Sequence, residues 1–204
     1  MPIFFQVRFR IRAETHAQFE QATRQLSASA RKAGLTLRQE WYQDAQNPGD
    51  YLSLEAFQDR ATLGQYIASG YFQMWKLAIE HSYTTRPISS SLSPVIAFPK
   101  SHTCAALYHA VLNLQVDGLK PTAQAVNRLH EWAQHNLPNA RIELFQLGGQ
   151  LAPGQARLAL LAGYPDTATA EALVNSPAFA DFSSTCKHYS TDLLWLTHVW
   201  QPLC

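Results

Sequence analysis

Apolar and polar residues alternate from Ile3 to Arg12, with Ile3, Phe5, Val7, Phe9 and Ile11 in one set and Phe4, Gln6, Arg8, Arg10 and Arg12 in the other. A period of two with unlike faces predicts a β-strand. The period then lengthens. Phe19, Ala22, Leu26 and Ala30 recur at helical spacing, Thr15 with Gln18 three residues on reads as a capping box, and Gly34 supplies a stop. Residues 35–43 and 51–57 are β-type runs flanking "DAQNPGD", whose Asn-Pro-Gly predicts a hairpin turn. Asp59 stands where an N-cap belongs. The second helix that follows is broken near Ser69-Gly70 and resumes through Phe72, Trp75 and Ile79, and a last strand is expected near residues 95–98.

This series occurs twice. When residues 51–84 are laid over 158–191 without a gap, Leu54 meets Leu161, Asp59 meets Asp166, Ser69 meets Ser176, Phe72 meets Phe179 and His81 meets His188. The same displacement places Phe5 on Leu112, Phe19 on Val126 and Leu26 on Ala133, with small length changes around the second strand, where "RQEWY" meets "RIELF". The second copy has its break at Ser176-Pro177 and its last strand near residues 194–200. Each half therefore predicts β-α-β-β-α-β, the split βαβ or ferredoxin-like arrangement, in an α+β protein with units at 1–100 and 101–204. The boundary falls within residues 85–102. Helices cover one face of each sheet, so the other needs a partner, which the second half can supply.

Composition adds exclusions. The chain has 204 residues, is 47% hydrophobic and 15% charged, and carries a formal charge of +1, which leaves no electrostatic footprint for nucleic acid. The N-terminus lacks the pattern of a signal peptide, and no apolar run reaches membrane-spanning length. Cys104, Cys186 and Cys204 stand far apart with no metal-ligand spacing, so neither a disulfide framework nor a zinc site is expected. A reduced, cytoplasmic protein is the expectation. There is no GxSxG, GxGxxG or P-loop pattern, so nucleotide cofactors are not supported.

Residues 51–75, "YLSLEAFQDRATLGQYIASGYFQMW", resemble the antibiotic biosynthesis monooxygenase group of the dimeric α+β barrel superfamily. In them a strand ending in an acid and an aromatic leads into a helix, then a Ser and a Phe precede a second helical stretch. The resemblance implies two units packed sheet to sheet, here from one chain as an internal pseudo-dimer, with further homodimerisation left open. It also implies cofactor-independent oxygenation of a small aromatic or polyketide-like molecule. A non-catalytic ligand-binding or stress-response barrel is the alternative, with a haem-binding protein ranked behind it. Haem-degrading relatives carry an Asn on the first strand, a Trp on the second helix and a His soon after the Phe. The corresponding places here are Val7, Tyr66 and the region of Trp75, so the haem pattern fails, although Asn113 stands near such an Asn position in the second half.

Several residues are candidates for chemistry. His81 and His188, in "EHSYT" and "KHYST", either act as proton acceptors near neutrality or serve the C-terminal turn of a helix, and of the two His81 is the better catalytic candidate. Trp41, Tyr42, Tyr66 and Trp75 give way to Leu144, Phe145, Leu173 and Phe182, so polar aromatic tips survive only in the first half. That half is the better place for a pocket, with Tyr66 orienting substrate and Trp75, Trp41 and Phe72 as walls. Arg38 with Glu40, and Arg141 with Glu143, share a strand face, and Glu55, Arg8 and Arg10 could join it. They read either as an anion pocket with Arg38 contacting substrate, or as ion pairs across a sheet-to-sheet interface.

Overall fold

A computed structural model describes residues 1–44, 46–98, 104, 106–137, 139–148, 153–192 and 198–202. The chain forms two compact units, one combining Met1–Ser91 with residues 201–202 and one combining Leu92–Phe98 with Thr103–Trp200.

In the first unit the elements are β1 (Ile3–Ile11), α1 (His16–Ala33), β2 (Arg38–Asp44), β3 (Asp50–Phe57), α2 (Arg60–Ala68), α3 (Gly70–Ile79) and β4 (Tyr83–Ile96), whose last residues belong to the second unit. The strand order is β4-β1-β3-β2. This is the ferredoxin-like order, with β3 antiparallel to both β1 and β2. Gly34, at φ 66°, ends α1 in the left-handed conformation that glycine adopts without a Cβ clash. Asp59 caps α2 by accepting from Thr62 N at 2.8 Å.

The expected capping box does not form. A 3₁₀ turn, Ala13–Thr15, precedes α1; the Thr15 hydroxyl donates to Arg12 O, and Gln18 reaches across to donate to Ala78 O at 2.9 Å. The break between α2 and α3 is as expected. Ser69 is extended, its hydroxyl donates to Tyr66 O at 2.6 Å and accepts from Phe72 N at 3.3 Å, so one residue closes α2 and opens α3.

The second unit repeats the plan with β5 (Ala106–Gln115), α4 (Leu119–Asn136), β6 (Arg141–Leu147), β7 (Gln155–Tyr164), α5 (Thr167–Val174), α6 (Pro177–Tyr189), β8 (Ser190–Asp192) and β9 (His198–Pro202). β5 and β6 both pair with β7, β8 and β9 pair with β5, and Leu92–Ile96 pair with β6. Of the last strand expected at residues 194–200, positions 194–197 lie outside the described residues.

The element bounds correct the repeat. α1 and α4 are displaced by the same amount as β2 and β6, so Phe19 corresponds to Thr122, Leu26 to Leu129 and Ala30 to Ala133, all buried. Phe5 corresponds to Tyr108, not Leu112. Four additional residues in the second copy lie in the β6–β7 hairpin, and only beyond it does the displacement become that of Leu54 on Leu161. The sequence misleads because four residues are close to one helical turn, so an apolar stripe slipped by that amount falls nearly on itself.

Strand register then sorts the side chains of the first unit. Phe5 lies opposite Glu55, Val7 opposite Ser53 and Phe9 opposite Tyr51, while across the other edge of β3 Gln39 lies opposite Glu55 and Trp41 opposite Ser53. Direct partners share a face. These residues, with the apolar set of β1, meet α1 and α3 in an aromatic core of Phe9, Phe19, Trp41, Tyr51, Phe57, Tyr66 and Trp75.

Candidate functional site

The break at Ser69 gives the site its shape. It turns the chain so that Tyr66, near the end of α2, and Phe72, at the start of α3, present their rings to each other at 5.0 Å. Trp75 follows one turn later, 5.4 Å from Phe72, and its Nε1 donates to Thr23 Oγ1 of α1 at 3.2 Å. Against these the sheet offers Phe5, Val7, Phe9 and Glu55. Between them lies a cavity of about 500 Å³, walled also by Leu63, Tyr83 and Pro87 and edged by Lys76 and Glu80. That volume lies within the range that holds a drug-sized ligand.

Glu55 and Tyr66 bring polar groups into this mostly apolar lining. Glu55 is partly buried, and its Oε1 accepts from Ser53 Oγ at 3.1 Å. Desolvation pushes its carboxyl up to about 7 although the Ser53 hydrogen bond opposes the shift. Gln39, directly across the ladder from Glu55, donates from Nε2 to the Tyr66 hydroxyl at 2.8 Å. Tyr66 is buried, and desolvation followed by the charge of Glu55 raises its pKa far above 10. It stays a neutral phenol. Because it accepts from Gln39, its own hydrogen is directed elsewhere. The arrangement places a carboxyl whose pKa is raised to about 7 and a buried neutral phenol in one largely apolar cavity.

The sequence candidates divide. Tyr66, Phe72 and Trp75 line the cavity together. Trp41 does not; it lies behind Trp75, ring centroids 5.8 Å apart, wholly in the core, and among the described residues its Nε1 has no acceptor. Arg38 is also elsewhere. It is buried on the opposite face of the sheet, where Nη2 donates to Glu40 Oε2 at 2.8 Å, and Glu40 also accepts from Tyr42 at 2.7 Å. Arg141 and Glu143 make the same pair at 3.1 Å. These are ion pairs within a strand, two residues apart, and Arg38 is not a cavity residue. Glu55 does not join them. The ladder puts Arg38 opposite Ala56, so the odd-numbered Glu55 faces the helices. Arg10 turns outward to Asp50 at 2.8 Å.

His81 lies beyond the end of α3, in an exposed turn outside the cavity, and among the described residues it has no hydrogen-bonding partner. His188 is exposed in the last turn of α6, its ring 4.6 Å from that of Tyr189. Among the described residues that line the cavity there is no histidine or cysteine. Asn113 is held by Arg157 at 2.8 Å. Among the described residues, no helix is long and apolar enough to cross a membrane.

The second unit shows what the first has kept. At the places of Gln39, Ser53, Glu55 and Tyr66 it has Ile142, Leu160, Ala162 and Leu173. Each of these is at most 2% exposed, in a core with Leu144, Leu158 and Phe182. Glu55 and Gln39 could have been found from the sequence by this loss of polarity, had the strand parity been known.

The fold and this cavity define an α+β protein of two ferredoxin-like units with a ligand-sized site in the first. Residues 2–76 match the antibiotic biosynthesis monooxygenase family. The first unit is thus antibiotic biosynthesis monooxygenase-like, and the chain carries its fold in tandem. Whole-chain likeness is found to a candidate monooxygenase of Lactobacillus acidophilus NCFM (TM-score 0.77, 12% identity, covering 98% of this chain and 92% of that one). A candidate monooxygenase of Fusobacterium nucleatum is similar (TM-score 0.78, 14% identity, covering 100% and 93%). So is an anthrone oxidase-like protein (TM-score 0.56, 10% identity, covering 98% and 91%). No curated protein sequence matches the chain.

Proposed function

We propose that the first unit is a cofactor-independent monooxygenase site for a small aromatic or polyketide-like molecule. The observation that carries this is Glu55, a carboxyl at about 7, lining an apolar cavity next to the Tyr66 hydroxyl. Glu55 takes a proton from an activated methylene whose oxygen accepts from Tyr66. The resulting carbanion is stabilised as an enolate and reduces dioxygen, and the two combine to a hydroperoxide after Glu55 returns its proton. Loss of water leaves a carbonyl where the methylene was. One oxygen atom enters the product and the other leaves as water. Phe5, Phe72 and Trp75 clamp the flat substrate and keep water from the carbanion. Trp41 and Thr23 hold Trp75 from behind.

This reading assigns the proton transfer to Glu55 because His81 does not reach the cavity. The test is oxygen uptake by the purified chain with a panel of anthrones and quinols, followed by product analysis. Uptake that Glu55→Gln abolishes and His81→Ala leaves intact is expected. No uptake with any member of the panel, or uptake that survives Glu55→Gln, would overturn the proposal.

A further inference from the structure

The groups that prepare a substrate for dioxygen also suffice for a reaction that needs no oxidant. We infer that the Glu55–Tyr66 pair has a second activity, proton exchange and tautomerisation at carbon acids, directed at compact aromatic ketones whose acidic C–H and oxygen reach both residues together. The inference rests on the monooxygenase reading for the location of the substrate, but not for its chemistry.

Geometry restricts the substrate class. Gln39 and Glu55 are direct ladder partners, which places their Cβ atoms about 4.5–5.5 Å apart. The Gln39 amide is 2.8 Å from the Tyr66 hydroxyl, and Tyr66 and Glu55 line the same cavity, close enough for the Glu55 charge to act on the phenol. A substrate that uses both must carry its oxygen close to the carbon that loses the proton, through one conjugated path. The ring faces of Phe72, Trp75 and Phe5 ask for a flat apolar remainder. An isolated alcohol or an unconjugated hydrocarbon offers nothing to one of the two groups.

The step balances without a redox partner. The Glu55 carboxylate takes the proton, the C–H pair becomes the C=C of an enol, and the carbonyl pair moves to oxygen, where the Tyr66 O–H donates to the developing charge. Glu55, now a carboxylic acid, returns a proton to the same carbon or to a conjugated one. Ser53 holds the carboxylate at 3.1 Å throughout. Glu55 is only partly buried, and Lys76 and Glu80 mark the edge of the cavity, so its proton can be replaced from solvent between turnovers. The second unit has no part in this, because Ala162 and Leu173 stand at the two positions.

The experiment incubates the full-length chain with anthrone and with β-tetralone in deuterated buffer under strict exclusion of oxygen, and follows deuterium at the activated methylene by NMR. Exchange well above the buffer rate is expected. Glu55→Gln should return it to the buffer rate, and Tyr66→Phe should lower the enhancement by roughly 10²-fold, the usual loss when one oxyanion donor is removed. His81→Ala should leave it unchanged. Unenhanced exchange of both ketones overturns the inference, and does so while the monooxygenase reading stands if the same protein takes up oxygen in air. Enhanced, Glu55-dependent exchange without oxygen uptake supports the inference and removes the monooxygenase reading instead. Enhancement that survives Glu55→Gln also overturns it.

Discussion

Glu55 opposes the stability of its own unit, and the size of that opposition can be worked out. Its carboxyl moves from an ordinary 4.5 to about 7 because burial penalises the charged form. Between those values the folded chain holds a proton that the unfolded chain has released, so stability falls as pH rises through this window. Below 4.5 both states are protonated and nothing is lost. Above 7 both are ionised and the full penalty, about 3 kcal/mol at 1.36 kcal/mol per pKa unit, is present. The groups facing Glu55 are Ser53 and Gln39 in the sheet, Tyr66 from α2, Lys76 from α3, Glu80 from the following turn and Tyr83 from β4. Tyr66 and Tyr83, the latter pushed up to about 12, stay neutral throughout the window.

Glu55→Gln keeps the shape and an oxygen for Ser53 to donate to, but cannot ionise. It should match the parent below pH 4.5 and exceed it by about 3 kcal/mol at pH 8, as an upper figure because Glu55 retains some solvent contact. Urea unfolding at a series of pH values, read by tryptophan fluorescence, to which Trp41 and Trp75 of the first unit contribute, measures both curves. Parallel curves for parent and variant would refute the reasoning, since they would mean that Glu55 is solvated and has no perturbed titration.

Other expectations follow from the same contacts. Ser53→Ala removes the hydrogen bond that opposes the shift, so the acidic limb of the kcat/KM profile should move above its parent position; an unchanged limb would show that Ser53 does not act on Glu55. Trp75→Ala should cost about 3–5 kcal/mol and weaken ligand binding, measured by unfolding and by ligand titration. Asp59→Ala and Asp166→Ala each remove an equivalent N-cap and should cost about 1 kcal/mol apiece in unfolding assays. His81→Ala and His188→Ala, at exposed positions, should stay within about 0.5 kcal/mol of the parent.

The architecture was legible because its signals are local. Strand alternation, the two aspartate caps, and the breaks at Ser69 and Ser176 each depend on a few neighbouring residues and recur in both halves. β4 was less legible, since "TRPISSSLSP" reads as a linker. Pro87 and Pro94 are nonetheless strand residues, and a register shift between Pro94 and Ile96 breaks the ladder next to Pro94, where a missing N–H is tolerated. Residue types gave the apolar wall of the site but misplaced its chemistry. Whether Glu55 shares a face with Arg38 or with Gln39 depends on a one-residue difference in ladder register, and that register is set by pairing across the hairpin. The repeated histidines had the opposite fault. They mark the duplication clearly while lying outside the cavity.

The divergence of the halves argues that Gln39, Ser53, Glu55 and Tyr66 are one device. Gln39 donates to Tyr66, Ser53 donates to Glu55, and Glu55 raises the pKa of Tyr66, so removing any member leaves another in apolar surroundings without its counterpart. A buried polar group left so costs on the order of 1–3 kcal/mol. The second unit holds none of the four. Its replacements are all aliphatic and almost fully buried, as expected when a coupled set is given up together and its space is returned to the core. If the four were separate accidents of composition, one or two should persist in the second unit with local partners of their own. Reintroducing one alone tests this: Ala162→Glu should destabilise the second unit by several kcal/mol above pH 7, and Ala162→Glu with Leu173→Tyr and Ile142→Gln should recover part of that loss. Recovery no greater than the sum of the single effects would show that the set is not coupled.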